Sequence, residues 1–428
     1  MTSLVIIFAL IILILTGVPI SISMAIIPIV GFFVIGSPNF LTMAAQRMFA
    51  GATGYTLLAI PFFILAGLLM NNGGITKRIF NFAEALAGHW WGGLGQVNII
   101  SSVIFSGMSG TAIADAAGIG AIEIKAMNDA GYDRPFSATI TAVSSIIGPI
   151  IPPSVPMVIY AGITNTSVGA LFLAGILPGL LMAFSLGIVV FFIAKVRKYP
   201  RSQKKPIKEL IITFLDAIPA LMCPIILIGG LVSGYFTPTE AGVVACLYAM
   251  TLSIIFYKEI KIKDIYKILW LAVKQSTNIL FIIASASFFA WFLNYLRIPQ
   301  SLITMLANIT TNNFYLMLLI LLIYLVLGLF IEGTAIMYIT LPIFIPLVNQ
   351  IGIDLIQFGV VTVLALMIGM VTPPVGICLY AVSDISNVNL GRLSREVFPY
   401  ILGLLGILLL ISFVPQISMF IPKFMGYV

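Results

Sequence analysis

Two segments constrain this chain more than any others. Gly148-Pro-Ile-Ile-Pro-Pro-Ser154 and Gly369-Met-Val-Thr-Pro-Pro-Val-Gly376 each set a double proline inside a long apolar stretch. Proline offers no amide hydrogen and its ring collides with the preceding turn, so a continuous helix must break there. In hydrocarbon, every carbonyl freed by such a break has to find a partner inside the protein. The surroundings are hydrocarbon-like, with no charged residue from Met1 to Gln46, from Pro135 to Ala194 or from Val397 to Pro422. With 61% hydrophobic and only 8% charged residues, soluble globular classes are excluded and an all-α polytopic membrane protein is implied. Helix breaks at corresponding places in two halves of such a chain point to a transport site.

At roughly 20 residues per crossing, the apolar runs predict about 10–12 transmembrane helices. Among the expected spans are Ser3–Leu15 continuing through Pro19–Ile35, Leu57–Met70, Ala138–Ile163, Ala170–Ala194, Lys274–Leu296 and an unbroken Phe398–Pro422. The first reads as a retained helix, because no basic leader segment or small-residue cleavage site precedes it. Between Gly73 and Trp91, polar Lys77, Arg78, Glu84 and His89 alternate with Ile79, Phe80, Phe82 and Leu86 at helical spacing. A helix lying in the membrane interface is one reading, a helix in a solvated loop the other.

The basic run from Lys195 to Lys208 divides the chain and is assigned to the cytoplasm by the positive-inside rule. A second charged loop, Lys258 to Lys267, follows two spans later and returns to the same side. The halves flanking the linker resemble each other. Ser106-Gly-Met-Ser-Gly-Thr-Ala-Ile-Ala-Asp115 precedes the first break, and Gly328-Leu-Phe-Ile-Glu-Gly-Thr-Ala335 precedes the second. An internal repeat follows; an inverted repeat is its natural physical reading, and a parallel one is the alternative. The predicted organisation is a first half over 1–194 with hairpin 1 at about 92–125 and a broken helix at about 138–163. A basic linker at 195–210 leads to a second half over 211–428, with hairpin 2 at about 314–348 and a broken helix at about 358–385.

The motifs suggest where chemistry lies. Three hydroxyls and two glycines within Ser106–Thr111 oppose a smooth span and suit the tip of a re-entrant hairpin, although close packing of small residues is the plainer reading. Ser144 and Ser145 lie at the edge of the first break, Ser154 just beyond it, and Thr372 beside the second. Glu332 is the sole charge between Arg297 and Asp354, and Asp115 follows the first Gly-Thr-Ala; either could draw a cation or act in gating. Glu123, Lys125, Asp129, Asp133 and Arg134 read as a solvated loop. Cys223, Cys246 and Cys378 sit in apolar runs and read as buried small side chains, and one histidine, His89, cannot build a multi-histidine metal site. No GxxxxGK[ST] loop, HExxH or GxSxG is present, which argues against direct ATP hydrolysis and against an enzyme.

At these motifs the chain resembles the large membrane subunit of tripartite ATP-independent periplasmic (TRAP) transporters, the DctM-like family. The matching segments include Ala59-Ile-Pro-Phe-Phe-Ile-Leu-Ala-Gly67, Gly95-Gln-Val-Asn-Ile99, Glu123-Ile-Lys-Ala-Met127, Phe236-Thr-Pro-Thr-Glu-Ala-Gly242 and both proline breaks, in order over essentially the whole chain. The resemblance implies sodium-coupled import of an organic anion such as a dicarboxylate, keto acid or acidic sugar across a bacterial inner membrane. It further implies an elevator-type scaffold plus transport domain, a separate small four-helix subunit and a periplasmic substrate-binding protein. Na+ would be the coupling ion, with no other cofactor. Sodium would be held by Ser106, Ser109, Gly110 and Gly148 in the first half and by Gly333, Thr334, Gly369, Thr372 and Pro373 in the second. Substrate would contact Ser109, Ser144, Ser145 and Ser154. A stand-alone sodium–dicarboxylate symporter, a channel and a membrane-embedded enzyme are the alternatives.

Overall fold

Helix is the only regular structure among the described residues of the computed structural model, which are 6, 9–10, 12–14, 16–301 and 312–427. Most of the predicted span Ser3–Leu15 lies outside them. Six helices are long and apolar enough to cross a membrane alone, and a seventh span arises if Leu390–Glu396 and Phe398–Phe413, bent by 52°, are counted together. Six further apolar helices run only 10–17 residues, and five of them belong to the hairpins or adjoin the breaks. The predicted spans are thus present partly as fragments.

The helices α1 (Ile20–Val34), α2 (Ala44–Ala52) and α3 (Ala59–Asn72) open the chain. An amphipathic α4 (Ile75–Ala87) follows, with Ile75, Ile79, Phe80, Ala83 and Ala87 buried on one face and Lys77 exposed on the other. Its Arg78 stacks 3.7 Å over the Tyr257 ring and pairs with Asp216 at 3.3 Å, tying α4 to the helices after the linker.

Hairpin 1 consists of α5 (Gly93–Ser109), a sharp tip, α6 (Ala112–Ala117) and α7 (Ile119–Asp129). The first broken helix is α8 (Arg134–Ser145) and α9 (Val155–Thr164), and α10 (Val168–Arg197) closes the half. After the linker come α11 (Ile207–Val232), α12 (Pro238–Thr251) and α13 (Ile262–Tyr295). Hairpin 2 is α14 (Asn313–Gly328) with α15 (Gly333–Gln350), and the second broken helix is α16 (Leu355–Gly369) with α17 (Ile377–Ser386). The chain finishes with α18 (Leu390–Glu396), α19 (Phe398–Phe413) and α20 (Pro415–Phe424).

Three expectations need correction. Phe398–Pro422 is not one span: Val414 leaves helical geometry and Pro415 starts a new helix, as a proline at a first helical position does. The charged loop at Lys258–Lys267 is largely helix, because Asp264 accepts from the Lys261 amide and starts α13 at Ile262. Glu123 is not in a solvated loop. It lies fully buried on α7 with Ile119, Gly120, Ile124 and Met127, an apolar stripe at helical spacing that a count of charges conceals.

The repeat is visible in the caps. Each broken helix ends on a left-handed asparagine, Asn165 (φ 55°) and Asn387 (φ 53°), and each next helix starts from a side-chain cap, Ser167 and Asn389. Packing is reciprocal: α9 lies against α15 and α16 of the second half, while α17 lies against α6 and α8 of the first. The Tyr160 hydroxyl of α9 donates to the Leu355 carbonyl of α16 at 2.7 Å. Helices α1–α3, α12 and α13 pack mainly on one another, α11 lies on α4 and α12, and the hairpins are joined to this group through α4 and α15 and by direct contact of α3 and α11 with α5.

The linker is docked. Tyr132 Oη donates to the Pro200 carbonyl at 2.7 Å, Tyr199 Oη donates to Asp133 at 2.7 Å, and the Ser202 amide donates to the Gly88 carbonyl at 3.0 Å. Arg197 pairs with Glu396 at 2.6 Å.

Candidate functional site

Two hairpin tips, each seated on a helix break, form the candidate site. In the first half α5 stops at Gly110, whose φ of +64° is left-handed and open to glycine without strain. A Cβ here would stand 2.6 Å from the Pro153 carbonyl oxygen, so no other residue allows this approach. The Gly110 carbonyl accepts from the Val155 amide at 3.3 Å, so the tip supplies the first partner of α9. A Cβ on Gly107 would lie 3.7 Å from the Pro152 carbonyl oxygen, so peptide oxygens of both prolines face the tip.

Break 1, residues 146–154, is buried apart from the half-buried Ile151. Its Pro152–Pro153 peptide is cis. Gly175 and Gly179 of α10 leave room for Ile150 and Ile151, and the Asp115 carboxylate occupies the space where Gly148 lacks a side chain. Ser154 is the cap of α9: its hydroxyl accepts from the Met157 amide at 3.1 Å and donates to the Pro149 carbonyl. The Ser145 hydroxyl donates to the Ala142 carbonyl at 2.9 Å. Ser144 donates to Asn98 Oδ1 at 2.6 Å, and Asn98 Nδ2 donates to Thr141 Oγ1 at 2.8 Å, a buried chain pinning α5 to α8. Ser106 donates to the Val103 carbonyl of its own helix.

In the second half Gly328 and Gly369 touch backbone to backbone, and a Cβ on Gly369 would lie 2.7 Å from the Gly328 Cα. Glu332 precedes the first turn of α15 and accepts from Thr334 Oγ1 at 2.8 Å. Gly333 lies against Met367 and Leu366 of α16. Break 2, residues 370–376, contains a cis Pro373–Pro374 peptide and ends on Gly376 at φ +58°. Here the chain bridges its own gap, with the Cys378 amide donating to the Met370 carbonyl at 3.0 Å. Thr372 donates to the Ile368 carbonyl at 2.6 Å and stays half-buried, as do Pro373 and Glu332, and Pro374 is exposed.

The sequence-selected residues therefore fall into two clusters. Ser106, Gly110, Asp115, Gly148 and Ser154 gather at hairpin 1 and its break, with Ser144 and Ser145 at the end of α8. Gly333, Thr334, Glu332, Gly369, Thr372 and Pro373 gather at hairpin 2 and its break. Ser109 ends α5 at the tip, and its side chain lies outside the described residues. The clusters meet at Cys378, whose thiol interacts with Ser145 and lies within electrostatic reach of Asp115.

Asn98, Thr141 and Glu123 are participants that motif reading passed over. Glu123 lies beside Ser101 and within electrostatic reach of Asp115. A lone asparagine inside an apolar helix was the available signal for Asn98, because a buried amide needs partners. A small cavity of about 20 Å³ borders the outer side of tip 1, where Thr111 and Ala114 face Asn71 of α3 and Gln275 of α13.

Chemically, each unit brings helix ends of opposite polarity to one break. Amino ends present partial positive charge to anions, and carboxyl ends and freed carbonyls present oxygen to cations. Such units, repeated in a hydrophobic helical bundle, define a membrane transporter. The chain belongs to the DctM family: residues 7–417 match the family described as the tripartite ATP-independent periplasmic transporter, DctM component. It is thus a transporter permease rather than an enzyme.

It is 42% identical over 416 residues to the sialic acid TRAP transporter large permease protein SiaM of Vibrio cholerae, covering 97% of both chains. It is 39% identical to the sialic acid TRAP transporter permease protein SiaT of Haemophilus influenzae, over 95% of this chain and 66% of that one. It is 36% identical to the C4-dicarboxylate TRAP transporter large permease protein DctM of Pseudomonas aeruginosa, over 91% of both. Among solved structures, the YdaH transporter of Alcanivorax borkumensis shares the fold with a TM-score of 0.65 at 15% identity, over 88% of both chains.

Proposed function

We propose that this protein is the large permease of a sodium-coupled importer of an organic acid, in a bacterial inner membrane with the 195–210 linker in the cytoplasm. The observation carrying this reading is the paired contact of hairpins and breaks, with the Pro152 and Pro153 carbonyls before tip 1 and Gly328 of hairpin 2 against Gly369 at the edge of break 2. Oxygen ligands, backbone carbonyls among them, are what a small hard cation prefers, so Na+ as co-substrate fits both clusters. Ser106, Ser109, Gly110 and Gly148 would serve one sodium, and Gly333, Thr334, Gly369, Thr372 and Pro373 the other. Asp115 and Glu332 would adjust the charge near each tip.

The proposed cargo is a carboxylate, in keeping with the names of relatives that carry sialic acid or C4-dicarboxylates. No arginine lies within either motif, so sodium and helix amino ends would balance the carboxylate charge. Substrate contact is assigned to Ser109, Ser144, Ser145 and Ser154. In the present geometry the last three already donate within the chain, so their hydroxyls would have to exchange partners as substrate binds. Division into a scaffold-like group (α1–α3, α11–α13) and a group bearing both hairpins supports movement of the second against the first, an elevator step. A periplasmic binding protein and a small four-helix subunit complete the assembly.

The test is reconstitution of the chain with both partners in liposomes and measurement of labelled organic-acid uptake. Uptake is expected to need an inward sodium gradient and loaded binding protein together. Uptake driven by sodium alone, without the binding protein, would overturn this reading in favour of a stand-alone symporter.

A further inference from the structure

The molecule carries, away from both hairpin tips, an open apolar groove of about 940 Å³ between α5 and α10. Ile99, Ile100 and Val103 form one wall, and Leu180, Phe184 and Ile188 are among the residues of the other. Its one polar side chain, Gln96, is already used, donating to the Gly187 carbonyl at 2.8 Å. The groove follows α10 from Leu180 to Phe192, about 18 Å at 1.5 Å per residue. That length matches half of a hydrocarbon core of about 30 Å. The mouth has a different character. Trp90 and Trp91 line it, as suits a membrane–water boundary. Arg201 stacks 3.8 Å over the Trp91 ring, and Lys195 lies 6.0 Å over Phe191, another lining residue.

Among the described residues neither Arg201 nor Lys195 is in an ion pair, and the nearby acids Glu396 and Asp133 are both taken by Arg197. An apolar slot one leaflet deep, headed by two uncompensated cations, is complementary to one kind of molecule. We propose that the groove holds an acyl chain of an anionic phospholipid, its headgroup resting on Lys195 and Arg201, in the leaflet on the side of the basic linker. A zwitterionic lipid brings its own positive group to the same cations and gains less. Because α5 leads directly into tip 1, such a lipid would pack against the transport machinery itself.

Trp90 and Trp91 make the groove self-reporting. The test places the full chain, with Trp270→Phe to lower the background, in phosphatidylcholine liposomes containing increasing brominated phosphatidylglycerol or brominated phosphatidylcholine. Half-maximal quenching of tryptophan fluorescence is expected at a roughly tenfold lower fraction of the anionic lipid, since two basic side chains contribute. The double variant Lys195→Ala/Arg201→Ala should erase this preference, whereas Arg201→Lys should retain most of it. Equal quenching by the two lipids in the protein with both cations intact overturns the proposal, whether or not the double variant folds. Absence of quenching by either lipid when the partner subunits are present means that protein covers the groove, and overturns it as well.

Discussion

The two hairpin–break units share a plan and differ in how the break is closed. Break 1 is closed partly by its own Ser154, which donates to the Pro149 carbonyl, and partly from outside: tip 1 supplies a carbonyl to the Val155 amide, α10 supplies glycine notches, and Asp115 fills the space beside Gly148. Break 2 is closed by its own chain through the Cys378 amide and the Met370 carbonyl, which leaves Thr372, Pro373 and Pro374 open to some degree. A break that depends on its hairpin cannot let that hairpin go without losing backbone hydrogen bonding, which is costly in hydrocarbon. A break that satisfies itself can. Tip 2 is therefore the element better suited to move as ligands enter and leave, and tip 1 the better fixed wall.

The sharpest way to break this comparison is at the glycines. Gly110→Ala places a Cβ 2.6 Å from a backbone oxygen at a left-handed position, combining a conformational cost of about 1–2 kcal/mol with overpacking of about 1–3 kcal/mol. Near-complete loss of uptake is expected, with a clear fall in the thermal unfolding midpoint. Gly369→Ala meets the Gly328 Cα at 2.7 Å but needs no left-handed backbone. Its uptake should be lost with a smaller fall in stability. Equal stability losses would show that tip 1 is no more firmly built in than tip 2.

Asn98→Ala probes the buried chain that fixes hairpin 1 to α8. Removing the amide deletes the bonds that cross from α5 to Ser144 and Thr141, which keep only carbonyls of their own helix, at about 0.5–1.5 kcal/mol per bond lost. Thermal unfolding should register that loss, and Asn98→Leu should recover none of it. Hairpin 2 has a buried polar contact of its own, Thr340 Oγ1 of α15 donating to Tyr324 Oη of α14 at 3.3 Å with Thr362 of α16 beside the same hydroxyl, alongside its glycine contact.

How much of this was legible in the sequence depends on the kind of residue. Both breaks, both glycine-bearing tips and their pairing followed from proline and glycine, whose backbone effects are local and hold in any context. The buried place of Glu123 did not, since five charges within 123–134 look like a loop until helical spacing is laid over them. Asn98 was visible only as a residue without a known partner, because Thr141 and Ser144 lie more than 40 positions away and meet it only in the fold. Ser154 follows the first double proline and Val375 the second, a difference whose meaning only the fold supplies. Ser154 caps α9, whereas α17 begins at left-handed Gly376 and takes no side-chain cap.

That last contrast yields the finest test. Ser154→Ala should cost about 1 kcal/mol, the usual loss on deleting a helix cap, and lower the unfolding midpoint without changing the sodium dependence of uptake. Thr372→Val should do the reverse. Valine keeps the shape of threonine, and the lost bond is to the Ile368 carbonyl one turn back in the same chain, so stability should barely change. A hydroxyl beside the more open break that also serves sodium would instead show itself in sodium affinity. A rise of roughly tenfold in the sodium concentration for half-maximal uptake corresponds to about 1.4 kcal/mol of lost binding. If Ser154→Ala shifts sodium dependence while Thr372→Val does not, then the buried break binds the ion and the more open one is only a hinge. The roles drawn here for the two units would have to be exchanged.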